Sequence, residues 1–451
     1  MSAASSTGSS GGGAGVSPSS ATPPRDAQEA PETPETPETS ETSEASGATA
    51  VSAAGRAPGR FGAAVDRYAP ALGAYAVVKA TGLTVFLLLL SHTEDFLKKD
   101  PGRGGGARPW DVLGTWDGIW YQRIAENGYD PQLIPLHGYP LATYYENSSA
   151  FFPLYPWLMR LVGAVTGLGP YGSGIVVSVL ASFVAAAGIF AVAERLGGFR
   201  AGVIAAVIWG LFPGSGVEWA VYSDSLFVAL SAWACYCVMT RNWLAAGVLA
   251  LVAGLNRPTA AALIAAVSIS ALVALVRRTD GVARPLTAML ITPWGLLGYV
   301  AWVGWRMGDW TGYFKLQRGA WNRYFDWGAS TARSTLDTVT GHWTFWQSNP
   351  APDLIAVGLL IALPGLLVLL LRLRPPLVLV LYTLLTVVLA LSSNQIYGNI
   401  SRYLLPAFPL FIGLAVALRR LRPSTLGGLV AMPAVAAGWY AGYALFELGI
   451  P

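Results

Sequence analysis

The sequence contains few of the residues that build metal sites, disulfides and soluble surfaces. It has 2 cysteines and 3 histidines in 451 residues, and only 12% of its residues are charged. Cys235 and Cys237 lie two positions apart in an apolar stretch, where a helix points them to nearly opposite sides, so neither a disulfide nor a metal site is expected. His92, His137 and His342 match no metal-ligand spacing. The net charge of +4 is small and gives no argument for nucleic-acid binding.

Apolar residues are abundant. They make up 53% of the chain, and the mean hydropathy is +0.48. This composition is typical of a polytopic membrane protein, in which each transmembrane helix needs about 20 mostly apolar residues. We therefore expect an all-α fold with about 11 transmembrane helices. The candidate segments are 71–92, 172–194, 201–219, 222–240, 243–256, 258–278, 286–306, 351–371, 376–392, 402–419 and 426–447.

Composition divides the chain into two parts. Ser, Ala, Gly and Pro dominate residues 1–66, and the run PETPETPETSETSE repeats a glutamate. Such a segment cannot bury enough apolar surface to fold, so we expect a disordered cytoplasmic tail. Residues 67–451 form the predicted multi-pass domain. Because no apolar core lies near Met1, no cleavable signal peptide is expected, and segment 71–92 should act as the first insertion signal.

Basic residues predict the orientation in the cell membrane. Arginines precede the first apolar segment and recur in short connections: Arg56, Arg60, Arg67, Arg277, Arg278, Arg284, Arg372, Arg374, Arg419, Arg420 and Arg422. The positive-inside rule makes these positions and the N-terminus cytoplasmic. The long polar loops 93–171 and 307–350 then lie on the outer face. This arrangement requires residues 151–168 to form an interfacial or re-entrant helix, which their two prolines and one arginine favour.

The stretch WDGIWYQRIAENGY, residues 116–129, has the pattern of an amphipathic interfacial helix in the first outer loop. At 100° per residue, Asp117 shares the apolar arc with Ile124, whereas Glu126 lies on the polar side. A carboxylate on the apolar arc has either a functional role or a capping role at the helix N-terminus. The spacing alone leaves both alternatives open.

Two further motifs have a structural and a functional interpretation. AFFPLYPWL, residues 150–158, is typical of a rigid aromatic anchor at the headgroup level, and it could equally wall a groove under the first-loop helix. YSDSLF, residues 222–227, begins an apolar segment. Ser223 is a candidate helix cap, and Asp224 is a candidate second acid in an outer cavity.

Two arginines occur where apolar segments are interrupted. NRP, residues 256–258, places Arg257 beside a proline-freed backbone, or simply turns the chain between two helices. NISRYLLPAFPLF, residues 399–411, places Arg402 at the outer end of a helix. There it is either an interface anchor or a planar set of donors for a lipid phosphate.

Charged residues therefore collect at the predicted outer boundary, namely Asp117, Glu146, Asp224, Arg257 and Arg402. Charged groups at the edge of the hydrocarbon are costly and usually line a pathway or a site. We expect a functional site that faces outward.

Five motifs in this order, WDGIWYQRIAENGY, AFFPLYP, YSDSLF, NRP and RYLLPAFPLF, resemble the PIG-V type mannosyltransferases. These are relatives of GPI mannosyltransferase 2 within the GT-C class of membrane glycosyltransferases. The resemblance spans roughly residues 70–420, and the YSDSLF and NRP matches are approximate. It implies a GT-C-like multi-helix fold, a polyprenyl-phosphate-linked mannose donor and transfer on the outer membrane face. Asp117 occupies the position of the catalytic carboxylate.

The predicted reaction is a single displacement with inversion at the anomeric carbon, without a metal or another cofactor, although Asp117 and Asp224 could hold a metal if they converge. Asp117 is the general base, Arg402 and Arg257 receive the departing phosphate, and Trp116, Glu146 and Asp224 complete the substrate site. Glu146 and Asp111 are the alternative bases. The acceptor is a lipid, a glycan or a protein.

Three other functions are weighed. A transporter or flippase for a lipid-linked sugar could use the same cavity, but the sequence shows no internal repeat of the kind many transporters carry. An enzyme for a different polyprenyl-phosphate sugar would need the same site. A catalytically silent scaffold would use the N-terminal tail to bind a partner.

Overall fold

The computed structural model describes residues 60–93, 108–130, 147–342, 350–440 and 442. Within these residues the chain is helical, and extended backbone pairs only at an isolated bridge between Phe325 and Ser393. The expected all-α membrane fold is confirmed. The predictions for Glu146, for His137 and for residues 1–59 of the tail lie outside the described residues.

Seventeen α helices occur in the described part of the chain. They are α1 Arg60–Thr93, α2 Asp117–Asn127, α3 Leu154–Thr166, α4 Pro170–Gly197, α5 Phe199–Leu211, α6 Asp224–Met239, α7 Trp243–Gly254, α8 Ala260–Arg277, α9 Ala283–Ile291, α10 Trp294–Met307, α11 Gly312–Trp321, α12 Ala329–Thr340, α13 Ala351–Arg372, α14 Leu377–Leu391, α15 Ile400–Leu404, α16 Pro409–Leu418 and α17 Pro423–Ala437. A 3₁₀ helix, Pro213–Trp219, joins α5 to α6 and is named the connecting helix.

Among the described residues, five helices are long and apolar enough to cross a membrane, or up to seven spans if each of two bent pairs counts as one. Three shorter apolar helices, α6, α7 and α14, accompany them. The α3 helix has 13 residues and falls outside this set, in the place where an interfacial helix was expected. The first helix begins at Arg60, well before the predicted start at residue 71.

Two segments that were predicted as single spans are broken. The connecting helix is bent by 86° from α5, and α16 is bent by 72° from the helix that precedes it. Pro213 begins the connecting helix, and Pro406 follows α15. Proline cannot donate the backbone hydrogen bond that continues a helix, so each chain turns at these positions. The residues at both breaks are mostly buried, and the two broken segments carry the charged side chains of Glu218 and Arg402.

Small residues allow the central helices to pack closely. A Cβ atom at Gly188 of α4 would lie 2.9 Å from the Cβ atom of Ala232 in α6. Close approach of this kind is characteristic of helix packing in membranes, where small residues bring backbones together.

Arginines tie the helices together at the end opposite the breaks, named the basic end. Arg67 pairs with Glu194 at 2.5 Å and so joins α1 to α4. Arg419 donates a hydrogen bond to the carbonyl oxygen of Gly197 at 2.5 Å, which joins α16 to α4. The helix connections on this side are short, as the positive-inside pattern assumed.

Candidate functional site

Four charged side chains meet at the end of the bundle opposite the basic end, and we name them the charged cluster. A terminal guanidinium nitrogen of Arg402 lies 2.6 Å from Oδ2 of Asp117 and 3.1 Å from Oδ2 of Asp224. The guanidinium of Arg257 pairs with the same Asp224 carboxylate. The four residues come from α2, α6, α15 and the connection between α7 and α8. Sequence reasoning singled out all four, and the fold brings them together.

A close backbone approach sets the position of Arg402. A Cβ atom at Gly214 of the connecting helix would lie 2.5 Å from the carbonyl oxygen of Ser401 and 2.7 Å from the backbone nitrogen of Arg402. Glycine is therefore required at Gly214, since any side chain would push α15 away. The Arg402 side chain is buried, and its guanidinium lies 4.6 Å from the ring centroid of Tyr222, a cation–π contact.

The backbone before α2 turns Asp117 towards Arg402. Asp117 is the first residue of the helix, and Trp116 occupies the N-cap position with φ of 57° and no side-chain capping bond. A non-glycine residue at positive φ is uncommon and costs backbone energy. The Asp117 carboxylate accepts a hydrogen bond from Arg402 at 2.6 Å, so it contacts a distant helix end rather than the N-terminus of its own helix. At 24% exposure, Asp117 has the most accessible side chain of the four.

Neighbouring hydroxyl and amide groups hold the start of α6. Ser223 occupies the N-cap position, but its hydroxyl contacts the Tyr121 hydroxyl at 2.8 Å and makes no capping bond. The Asn256 amide donates to the Ser223 carbonyl oxygen at 3.0 Å. Burial raises the pKa of Tyr121 to about 12, so the phenol stays protonated near neutral pH. Ser223 therefore links α2 to the break before α8, and Asp224 follows it directly.

The aromatic segment after residue 149 docks against the break at Arg257. The Leu154 amide donates to the Leu255 carbonyl oxygen at 3.0 Å. The Tyr299 hydroxyl donates to the Phe151 carbonyl oxygen at 2.7 Å, which fixes the same segment from α10. These bonds support the interpretation of AFFPLYPWL as a wall beside the first-loop helix.

Part of the polar loop 307–350 covers this wall. The rings of Trp120 and Phe151 stack with centroids 5.7 Å apart, and Trp321 lies edge-on to both, at 5.8 Å and 5.6 Å. Arg323 donates to the Tyr403 hydroxyl at 2.6 Å, next to Arg402 in the chain. The loops 93–171 and 307–350 therefore both contribute to one region.

Sequence reasoning missed several residues of this region. No sequence pattern predicted a site role for Tyr222, Trp321 or Arg323, which simply lie in polar or aromatic stretches. Their roles depend on contacts between distant segments. Of the other predicted site residues, Trp116 adjoins Asp117 in the chain, whereas Glu146 lies outside the described residues. Asp111 pairs with Arg108 at 3.0 Å and is not part of the charged cluster.

The cluster offers proton acceptance and anion binding next to each other. Asp117 and Asp224 do not converge on open space but on the guanidinium of Arg402, which already supplies a cation between them. In the described part of the chain, no group of three or more His, Cys, Asp or Glu side chains has metal-site geometry. A guanidinium can bind a phosphate through two parallel hydrogen bonds, and a carboxylate can accept a proton.

The fold and the site thus define a multi-pass, all-α membrane protein with a charged cluster at one end of its helix bundle. Residues 149–305, about a third of the chain, match the family model of dolichyl-phosphate-mannose-protein mannosyltransferases. The matched range contains Asp224 and Arg257 and excludes Asp117 and Arg402. No curated protein sequence matches the chain.

Solved structures of similar arrangement have low sequence identity. ArnT from Cupriavidus metallidurans, bound to undecaprenyl phosphate, is 18% identical over 80% of this chain and 63% of its own, with a TM-score of 0.47. The archaeal oligosaccharyltransferase AglB from Archaeoglobus fulgidus, in complex with an inhibitory peptide and a dolichol-phosphate, is 11% identical over 86% of this chain and 57% of its own, with a TM-score of 0.46. This chain spans less than two thirds of the length of either protein.

Proposed function

We propose that the protein is a membrane glycosyltransferase that moves a mannosyl residue from a polyprenyl-phosphate-linked donor to an acceptor hydroxyl. The pairing of Arg402 with both Asp117 and Asp224 carries the proposal, since it combines a proton acceptor with a phosphate-binding cation. The family model matched by residues 149–305 supports a dolichyl-phosphate-mannose type of donor. The motif order shared with the PIG-V type enzymes supports the choice of mannose.

The reaction is a single displacement. The acceptor oxygen forms a bond to the anomeric carbon as the bond from that carbon to the phosphate oxygen breaks, and the configuration inverts. The acceptor proton goes to Asp117, and the bonding electrons leave with the polyprenyl phosphate. Arg402 and Arg257 bind the phosphate charge that develops. Within the substrate site, Trp116 borders Asp117, Asp224 holds the two guanidiniums, and Glu146 is the substitute base.

A phosphate and Asp117 compete for the same guanidinium. In the structure Arg402 donates to Asp117 at 2.6 Å, whereas Asp224 contacts both Arg402 and Arg257. Asp224 is almost completely buried and keeps the arginines in place, while the more exposed Asp117 is the partner that an arriving phosphate displaces. Donor binding thereby frees the Asp117 carboxylate to accept the acceptor proton.

A radiotransfer assay tests this function. Membranes from cells that overproduce the chain should transfer label from polyprenyl-phosphate [¹⁴C]mannose to an endogenous lipid, glycan or protein, and membranes from vector-only cells should not. A donor with the same lipid and glucose in place of mannose tests the choice of sugar. Transfer from glucose alone would overturn the mannose assignment. Movement of intact donor across vesicles without a new product would instead indicate a transporter.

We also propose that the charged cluster faces outward and the basic end faces the cytoplasm. Trp327, in the loop between α11 and α12, is 87% exposed, and Ser424 is exposed at the basic end. In a background with Cys235→Ala and Cys237→Ala, we expect a membrane-impermeant maleimide to label Trp327→Cys on intact cells. Ser424→Cys should react only after permeabilisation. The reverse pattern would contradict the orientation.

A further inference from the structure

A second set of buried polar side chains lies outside the charged cluster, on α1 and the connecting helix. The Lys79 ammonium group lies 3.2 Å from Oε2 of Glu218, and the Tyr75 hydroxyl donates to the same oxygen at 2.7 Å. Lys79 also donates to the carbonyl oxygen of Ser215 at 2.6 Å. The three side chains are buried, and we name them the α1 triad. Burying a charged side chain has a large desolvation cost, so the ammonium and the carboxylate each need the other as a partner.

The α1 triad holds the same short helix that positions Arg402. The connecting helix spans only seven residues and is bent by 86° from α5. A 3₁₀ helix has poorer hydrogen-bond geometry than an α helix and depends on its surroundings to stay in place. Lys79 and Tyr75 hold it through Ser215 and Glu218, while Gly214 touches the backbone of Arg402. Ser215, which accepts the hydrogen bond from Lys79, directly follows Gly214, which touches Arg402.

A second link runs from Glu218 to the start of α6. The Ser225 hydroxyl donates to the Glu218 carbonyl oxygen at 2.9 Å, and Ser225 follows Asp224 directly. The connecting helix therefore contacts both of the elements that carry the buried pair of Arg402 and Asp224. A shift of this helix would move the guanidinium and the carboxylate at the same time.

We propose that Lys79, Glu218 and Tyr75 are positioning residues for the charged cluster, acting through the connecting helix. Replacing a buried ion pair with apolar groups of similar size is often neutral for stability, so the pair is better explained by the geometry it fixes. The hydrogen bonds of Tyr75 and Lys79 to the connecting helix together hold Gly214 against Arg402. The catalytic consequence of this coupling rests on the proposed function, whereas the coupling itself does not.

A double-mutant cycle measured by thermal unfolding tests the coupling without any assay of transfer. The first change is Lys79→Met with Glu218→Gln, which removes both charges and leaves no unpaired ion. The second change is Asp117→Asn, which removes one partner of Arg402. If the triad positions Arg402, the combined fall in Tm should be smaller than the sum of the separate falls by about 2 °C or more. Additive effects would overturn the proposal.

An ion pair at the basic end supplies the matched control. Arg67→Met with Glu194→Gln removes a pair that joins α1 to α4, at the opposite end of the molecule. Because this pair shares no partner with the charged cluster, its effect on Tm should add to that of Asp117→Asn. Equal non-additivity in the control would show a general loosening of α1 and would also overturn the proposal.

A substitution at Gly214, where the connecting helix touches the backbone of Arg402, should shift this helix as well. Gly214→Ala should reproduce the non-additivity with Asp117→Asn, since the new Cβ atom would meet the backbone of Arg402. Gly73→Ala in α1, where a Cβ atom would contact nothing within 4 Å, is the control. Additive behaviour of Gly214→Ala would show that this contact does not position the cluster.

Kinetics then test the catalytic consequence. The variant Lys79→Met with Glu218→Gln should keep its folded fraction and lose about 10- to 100-fold in kcat, because a misplacement near 1 Å can cost that much. A normal kcat together with a non-additive Tm cycle would support the structural coupling and contradict its role in catalysis. If the unsubstituted protein transfers no sugar, the proposed function fails, while the Tm cycle still decides the coupling.

Discussion

On the proposed mechanism, Asp117→Asn should reduce sugar transfer by about 10²- to 10⁴-fold, which is the usual contribution of a general base. The amide keeps the size of the carboxylate but cannot accept the acceptor proton. Arg402 keeps its second partner, Asp224, at 3.1 Å, so the protein should remain folded and inserted. The initial rate of transfer from labelled donor, normalised to folded protein in the membrane, measures the effect.

Two matched variants make this result specific. Glu126→Gln changes an exposed carboxylate of the same helix and should leave the rate unchanged. Asp117→Ser keeps a small polar group at the first position of α2 but supplies no base, so a catalytic role predicts that this variant also loses transfer. Full activity of Asp117→Asn would contradict the assignment of Asp117 as general base, and Glu146 would then be the next candidate.

Arg402→Gln should remove transfer and also destabilise the protein. The substitution takes the guanidinium away from Asp117 and leaves Asp224 with Arg257 alone. Breaking a buried ion pair in this way typically costs about 3–5 kcal/mol. Arg402→Lys keeps the charge but loses the planar arrangement of donors, so it should recover part of the stability and little of the transfer. Tm and the transfer rate, measured on the same preparations, separate the two effects.

A charge-balanced variant distinguishes loss of fold from loss of chemistry. Arg402→Gln with Asp224→Asn leaves Asp117 and Arg257 as one carboxylate and one guanidinium. We expect its Tm to rise above that of Arg402→Gln alone, while transfer stays abolished because the phosphate has lost the guanidinium of Arg402. Arg318→Gln, an exposed arginine over Tyr324, is the control and should change neither quantity. Transfer restored by charge balance would show that Arg402 serves only stability.

Local patterns predicted the members of the charged cluster because each stands out in its own segment. Asp117 lies on the apolar arc of a 3.6-residue periodicity, and Arg257 and Arg402 interrupt apolar runs. Their pairing could not be predicted, since Asp117 and Arg402 are 285 positions apart and meet only through the tertiary fold. Residue spacing likewise does not reveal that Trp116, at φ of 57°, occupies the N-cap position of α2. The sequence alone therefore could not decide whether Asp117 caps the helix or pairs with a distant side chain.

The α1 triad shows where hydropathy reasoning stops. Lys79 and Glu218 lie inside the predicted spans 71–92 and 201–219, where apolar neighbours dominated the average. The sequence FPGSG, residues 212–216, contains the proline and glycines that break the second span. That local signal for a break was outweighed by the hydropathy of the whole window, so the prediction of one continuous helix was wrong.

Under the proposed function, the charged cluster has a consequence for how a lipid-phosphate donor is selected. Its two carboxylates and two guanidiniums have no net charge together, so their electric fields largely cancel a few ångströms away. Such a site does not concentrate lipid phosphates from the surrounding headgroups by long-range attraction. A ligand gains binding energy only when it is close enough to take a hydrogen bond from Arg402 in exchange for the one held by Asp117. Discrimination among the many anionic lipids of a membrane is then decided at contact distance, by shape and by the ability to exchange partners.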